Sequence, residues 1–412
     1  MQRLVDERSP WATRVSPSNI HSLPISHLDN QFNRFTLLMS PPLTLINWLQ
    51  NNNLLASSMK CDKCHEDCTM NARKKTIDGY SWRCKNRHEI SLRRYSFFSQ
   101  SHLYLPDIIN FILNYADGYS LWKCANNSAV AYGNTAVDWV SFCRDLFIQY
   151  YCESIRPVKF SGTVEIDESL FGRRMKYHRG HARGQKVWIF GLVERDTNRM
   201  KLFPVDKRNS DILIKLIQEN VEQGSTIYSD GWAAYKSLNS LGYKHYIVEH
   251  KHTFKQVCKD PTTGNIFTVH TNTIEGCWKH AKAHFRRMNG TKLQQFEGHL
   301  CEIMWRWWEK GSRIGSILKL IQLYYPLNTA PRMTATFPVF PSWFNQQQAS
   351  QDDTMCRLDS SDNDENTDTE MVMQEDESLH TQQQPASQHH CFDISGTDLS
   401  TKNTLLVIIV TT

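Results

Sequence analysis

The chain has 412 residues, 40% of them apolar, with 12 Trp, 15 Tyr and 19 Phe, which gives room for two or three domains with a sizeable core and excludes a wholly disordered protein. The net charge of +5 conceals an asymmetry: from Gln351 onward 13 Asp and Glu stand against Arg357 and Lys402, net −11, leaving +16 on the first 350 residues and pointing to a polyanionic partner such as nucleic acid. No apolar run is long enough to span a bilayer, and the start MQRLVDERSP has no apolar signal core, so a secreted or membrane protein is not expected and the 12 Cys read as metal ligands and buried thiols rather than disulfides.

Residues 1–40 are mixed and polar, with no defensible period. LTLINWLQNNNLL (43–55) has helical spacing and opens a segment, 41–98, that continues into a Cys-bearing stretch. There Cys61-x2-Cys64 and Cys84-x3-His88 form two ligand pairs 19 residues apart. Thiolates and imidazole at that spacing suit one tetrahedral Zn(II) closed between two knuckles, with His65 and Cys68 as spare donors. Arg83, Lys85, Arg87, Arg93 and Arg94 surround the second knuckle, interleaved with Trp82, Tyr95, Phe97 and Phe98. That mixture suits contact with a DNA backbone, or the solvated rim of a small domain.

Residues 99–155 read as helical. A short helix, a turn around Gly133 and a longer amphipathic helix in LWKCANNSAVAYGNTAVDWVSFCRDL fit a helix-turn-helix pattern, a weak signal alone. Segments 156–330 then alternate: TVEID, a hairpin of KVWIFGLVERD and MKLFPVD around Thr197-Asn198, a helix SDILIKLIQENV with Ser210 as N-cap, strands TIYSD and HYIVEH, and a helix NTIEGCWKHAKAHFRRM. Beyond about Pro341 the chain is rich in Gln, Ser, Asp and Glu; the whole of 331–412 is expected to be an acidic, low-complexity, disordered tail.

Three acids stand out by placement. Asp167 ends the strand GTVEID, Asp230 ends TIYSD, and Glu275 lies in the first turn of the helix that follows. Two strand ends and a helix start can converge at a sheet edge, and three carboxylates there need hard divalent counter-cations, Mg(II) or Mn(II), two of which can drive displacement at phosphorus. Any one of them alone would read as a solvated strand end. On the helix, Glu275, Lys279, Lys282 and Arg286 share one face, a track for phosphates or an ordinary Glu–Lys-paired surface, while Ile274, Cys277, Ala281 and Phe285 form an apolar face. His178, Arg179, His181 and Arg183 make a basic loop after the first strand. Glu165 should share the face of Asp167 but sit deeper, and Glu168 should point the other way if the strand continues.

The motifs EIDESLFG (165–172), VWIFGLVER (187–195), YSDGWAAY (228–235) and HTNTIEGCWKHAK (270–282) resemble those of Merlin-type DDE DNA transposases and the related bacterial insertion-sequence transposases, over roughly residues 40–325. The resemblance implies an α/β protein: a ribonuclease H-like catalytic domain preceded by a small zinc-binding module and a helix-turn-helix-like region. It implies that the acid triad falls on Asp167, Asp230 and Glu275, and the family commonly has Cys where this chain has His88; together with the residue reading above, this gives Mg(II) or Mn(II) on the triad, one Zn(II) on Cys61, Cys64, Cys84 and His88, and DNA contacts from Arg83, Lys85, Arg87, Lys279, Lys282 and Arg286. The implied activity is cut-and-paste transposition on double-stranded DNA by a homodimer or larger assembly, in the nucleus if the host is eukaryotic. The rival readings are a transposase-derived DNA-binding regulator without catalysis and a nuclease of the same fold that cuts without joining.

Overall fold

The computed structural model describes residues 20–340, apart from 173–185, 249–255, 260–263, 265, 289–290, 330 and 336–338. The basic loop with His178, Arg179, His181 and Arg183, the first 19 residues and the chain from Pro341 onward lie outside the described residues.

Two helices lead the chain. Helix α1 (Gln31–Leu38) starts where Asn30 accepts the amide hydrogens of Phe32 and Asn33, an N-cap in the usual sense. Helix α2 (Pro42–Asn51) carries Pro in its first turn, where the missing N–H costs nothing. A four-stranded antiparallel sheet follows in the order β1 (Met59–Lys60), β2 (Asp67–Ala72), β3 (Tyr80–Cys84), β4 (Glu89–Ser91). It is tied to the chain after it by one buried ion pair. Arg93, only 1% exposed, meets Asp78 through two bonds of 2.6 and 2.8 Å and donates to the carbonyls of Ser101 and Leu103. Arg93 is therefore a structural cation, not one of the exposed ones the sequence suggested.

Helices α3 (Leu105–Ala116), α4 (Leu121–Asn127) and α5 (Asn134–Tyr150) match the helical reading of 99–155. Ser120 caps α4 through the amide of Lys123. The longer helix departs from a DNA-reading helix in one respect. Its single cation, Arg144, is buried, whereas Val137, Asp138, Phe142 and Asp145 are exposed. A face with two carboxylates and no exposed cation is not suited to a phosphate backbone.

The main sheet has five strands in the order β7-β6-β5-β8-β9: β5 (Thr163–Phe171), β6 (Val187–Glu194), β7 (Arg199–Val205), β8 (Thr226–Asp230) and β9 (Lys244–Val248). The first three pair antiparallel, and β5, β8 and β9 run parallel. Strand β6 reads as an almost unbroken apolar run because helices cover both of its faces. On one face lies α6 (Ser210–Asn220), whose Asn220 accepts from the buried Lys201 at 2.9 Å. Its N-cap is Asn209, whose side chain takes the Ile212 amide, and not Ser210. On the other face lie α7 (Asn272–Arg287) and α8 (Leu293–Trp308), and α9 (Arg313–Tyr324) closes the chain's regular structure. A short hairpin, β10 (Gln256–Lys259) with β11 (Ile266–Val269), precedes α7 and has no counterpart in the sequence reading.

Helix α8 is shared between the helical region and the sheet. Trp305 stacks on Phe147 of α5 at 4.0 Å, while Trp308 donates to the Met200 carbonyl of β7 at 2.7 Å. One apolar core runs from Ile20 to Phe340. The last part of it lies in the segment expected to be tail. Thr334 and Ala335 donate their amides to Gln149, Val339 donates to Glu297 at 2.9 Å, and Phe340, 2% exposed, packs on Tyr151. Residues 331–335 and 339–340 thus belong to the body, because Gln149, Glu297 and the Tyr324 carbonyl accept from backbone amides within them.

Gly191 sets the spacing between α7 and the sheet. A Cβ there would lie 2.6 Å from Trp278 and 2.9 Å from Ile274. Gly191→Ala is accordingly predicted to push α7 outward and to destabilise the protein by about 1–3 kcal/mol, read as a lower denaturation midpoint. Phe340→Ala should cost about 3 kcal/mol, whereas deleting 351–412 should leave the thermal midpoint where it is; equal midpoints for wild type and Phe340→Ala would show that the segment is not anchored.

Candidate acid site and Cys/His cluster

Strand β5 does not stop at Asp167 as the sequence suggested. It continues to Phe171 because β6 offers an antiparallel partner throughout, pairing Asp167 with Gly191 and Phe171 with Val187. The strand end that matters is on the other side. Parallel pairing with β8 runs from Thr163–Thr226 to Glu165–Tyr228 and stops there. Two residues further on, Asp167 and Asp230 stand level on the same face, at the point where the two strands part. Glu168 falls on the opposite face, as expected for a continuing strand, and lies 3.9 Å from Arg208.

Helix α7 brings Glu275 to this point. Its stripe of Ile274, Cys277, Trp278, Ala281 and Phe285 is buried on the sheet, and Ile274 and Trp278 both sit over Gly191, the residue paired with Asp167. The Trp278 indole donates to Asp167 Oδ2 at 2.8 Å, and the Glu168 amide donates to Oδ1 at 2.8 Å. Burial pushes the Asp167 carboxyl up to about 7, with the Asp230 and Glu275 carboxylates adding to the rise against those two donors. The three acids therefore crowd negative charge at one locus, an arrangement that a hard divalent cation relieves. They do not form a group whose ligand atoms all lie within 4.8 Å of one another; among the described residues two other groups do.

Deeper on the face of Asp167, Glu165 has no exposure. Its Oε2 accepts the amides of Thr273 and Ile274 at 2.9 Å each, and its Oε1 accepts the Thr273 hydroxyl at 2.8 Å and Arg195 Nε at 2.6 Å. Arg195 also donates to the His270 carbonyl at 2.7 Å. Neither these contacts nor the indole bond of Trp278 was anticipated from the sequence; the one available signal was an acid two residues before Asp167 in a strand otherwise buried.

Along α7, Lys279 is exposed and Arg286 half-buried, but Lys282 is buried. The helix packs against both β5 and the start of α8, so the face expected to be a continuous cationic track is interrupted at Lys282.

The first of the two close groups is Cys61, Cys64, Cys84 and His88, the four residues singled out by spacing. Each pair sits on a turn between strands, one between β1 and β2 and the other between β3 and β4. The turns are closed by Cys61 amide to Glu66 carbonyl and Cys84 amide to His88 carbonyl, with His65 and Arg87 at positive φ. Cys64 Sγ lies 3.6 Å from Cys84 Sγ, and Cys61 Sγ lies 3.4 Å from His88 Nδ1. These match the edges of a tetrahedron around zinc, about 3.7 Å between two thiolates. Although burial raises it, the Cys61 thiol is brought down to about 6 by the Cys64 and Lys63 amides, Cys64 and His88. His65 is exposed, and Cys68 lies outside the group. Arg83, Lys85 and Arg87 are exposed around the second turn.

The second group, His284, His299 and Glu302, had no signal in the sequence. It joins α3, α5, α7 and α8. Tyr115 donates to Glu302 at 2.5 Å, Arg306 donates to the same carboxylate at 2.8 Å, and Arg144 contacts His299. Burial pushes His284 down to about 4, while Glu302 is held at about 2 against its own burial by His284, Arg306, His299 and Tyr115. Two guanidinium groups already face this cluster, which disfavours a dication and suits a buried hydrogen-bond network between the helical region and α7.

Comparison with known proteins adds to this geometry. Residues 159–307 match the ISXO2-like transposase domain. An uncharacterized transposase-like protein of Haemophilus influenzae is 27% identical over 113 residues, covering 27% of this chain and 82% of that protein. Among solved structures, a chain of the simian T-cell lymphotropic virus intasome in complex with a PP2A regulatory subunit aligns at 10% identity and a TM-score of 0.24, over 48% of this chain and 67% of that one. The Mos1 transposase paired-end complex with left transposon end aligns at 12% identity and a TM-score of 0.17; the alignment covers 35% of this chain and 58% of that one. Scores this low define no common architecture. The segment that contains Asp167, Asp230 and Glu275 is the segment that matches in sequence, resembling an ISXO2-like transposase domain over residues 159–307.

Proposed function

We propose that the chain is a DNA transposase that binds terminal inverted repeats, cleaves the element ends and joins them to target DNA, with residues 156–330 as a ribonuclease H-like catalytic domain. The observation that carries this reading is the convergence of Asp167, Asp230 and Glu275 where β5 and β8 part, inside the matched segment. The order β7-β6-β5-β8-β9, antiparallel on one side of β5 and parallel on the other, is consistent with it.

Asp167, Asp230 and Glu275 would hold two Mg(II) or Mn(II) ions; their crowded negative charge and all-oxygen donor set fit hard cations. When bound, such ions supply the charge that activates an attacking oxygen and stabilises the leaving oxygen on phosphorus. Water first displaces the 3′-oxygen at the element end, and the freed 3′-hydroxyl then displaces a target-strand oxygen in line. Each step makes one P–O bond and breaks one, so no covalent link to the protein is required. The protein's own part is positioning. The Trp278 indole and Glu168 amide hold Asp167 in one orientation while leaving lone pairs on both oxygens. Lys279 and Arg286 lie beyond Glu275 on the same helix and would neutralise the DNA backbone; buried Lys282 is withdrawn from that set.

The Cys61, Cys64, Cys84 and His88 group would hold one Zn(II), and the exposed Arg83, Lys85 and Arg87 around it would contact the repeat. Pairing two element ends calls for a homodimer or larger assembly on double-stranded DNA, acting in the nucleus if the host is eukaryotic.

Two predictions test this. Asp167→Asn, Asp230→Asn and Glu275→Gln should each reduce cleavage and joining by about 10³-fold or more while leaving repeat binding intact. A strand-transfer assay on an inverted-repeat substrate reads all three activities; a protein that binds without cutting, or cuts without joining, is a regulator or a nuclease instead. Elemental analysis of the purified chain should find one zinc per molecule, lost on Cys61→Ser combined with Cys84→Ser. Absent zinc, or zinc fully retained by the double variant, removes that assignment.

A further inference from the structure

We propose that Glu165 is a positioning residue that sets the place of Glu275 by clamping the start of α7 to β5; this rests on the reading of Glu275 as a metal-holding acid. The first turn of α7 has no cap of its own. Thr271, at the N-cap, makes no side-chain bond to the helix amides. The amides of Thr273 and Ile274 are instead satisfied across the sheet by Glu165 Oε2. Glu275 is the next residue. A carboxylate carries the charge that the positive end of a helix favours, and one with no solvent exposure must be fully paired.

The clamp has a second arm. Glu165 Oε1 accepts from Arg195 and from the Thr273 hydroxyl. Arg195 in turn donates to the His270 carbonyl, with its second contact to His270 Nδ1 at 2.8 Å, and lies over the Tyr228 ring. The chain entering α7 is therefore held at 270 and again at 273–274. Glu165, Asp167, Tyr228 and Asp230 belong to the same pair of strands, joined at Glu165–Tyr228. The clamp thus references Glu275 to the two strands that carry the other two acids. Helix α7 cannot slide or turn about its axis without breaking two amide bonds to a buried charge.

The test uses the full-length protein and compares wild type with Glu165→Gln, Thr273→Val and Glu275→Gln. Three quantities are read: hydrogen exchange at the amides of Thr273 and Ile274, Mn(II) affinity without DNA, and cleavage of a repeat substrate with binding measured beside it. Glu165→Gln keeps the size but removes the charge. It should speed exchange at those two amides, weaken Mn(II) binding about tenfold and slow cleavage about 10²-fold, with repeat binding and exchange in β6 and α8 unchanged. Thr273→Val removes only the hydroxyl donor and should reproduce the pattern at smaller size; it decides the matter if Glu165→Gln does not fold. Wild-type exchange and Mn(II) affinity in these variants would overturn the proposal, as would faster exchange spread through the whole sheet. A wild-type protein that binds Mn(II) through Glu275 but never cuts repeat DNA would refute the transposase reading and leave the clamp to be judged on exchange and metal affinity.

Discussion

A carboxylate with no access to water must find its whole solvation shell inside the protein, and Glu165 finds it in Arg195, the Thr273 hydroxyl and two helix amides. That requirement fixes where α7 begins. A second constraint fixes how closely it lies. Gly191 leaves no side chain between the sheet and the Trp278 ring, so the helix settles near enough for the indole to reach Asp167. With these two contacts made, the acid site follows from strand register. Asp167 and Asp230 stand level because Glu165 and Tyr228 are paired, and Glu275 follows Ile274.

Helices α3 and α5 serve this arrangement by supporting α7 and α8 from behind. Trp305 and Phe147 stack across the junction with the helical region, and the network of Tyr115, Arg144, His284, His299, Glu302 and Arg306 crosses the same junction. A satisfied buried polar network of this kind gives a specific fit where apolar packing alone would tolerate slippage. The Cys/His sheet is attached differently. Its own strands bury little, but Trp82, Ile90 and Leu92 join the main core, and the Arg93–Asp78 pair locks the loop that leaves it.

Much of the site was legible beforehand because its signals are local. Metal-ligand spacing places Cys61, Cys64, Cys84 and His88 on two tight turns whatever surrounds them. Helical periodicity gives the buried stripe of α7, and short apolar runs mark β5, β6 and β8. The errors have a common origin in partners distant along the chain. Asp167 looked like a strand end because its pairing with β6 was not visible; Lys282 and Arg93 looked exposed because charge was read without the neighbours that bury it. Residues 331–335 and 339–340 looked like tail because their anchors, Gln149 and Glu297, lie far back in the chain.

The amino-acid sequence by itself determined most of the helices, the strands of the main sheet, the spacing of the Cys/His cluster and the choice of the three acids, since each depends on residues within a few positions of one another. Tertiary structure alone decided which acid holds a helix and which faces the site. Glu165 and Asp167 are the same kind of group two residues apart on one face of one strand. Glu165 meets the amides of α7 and a guanidinium, whereas Asp167 meets an indole and two other carboxylates. The difference lies in what the fold places opposite each one, because a carboxylate's charge state and role are set by its surroundings rather than by its own chemistry.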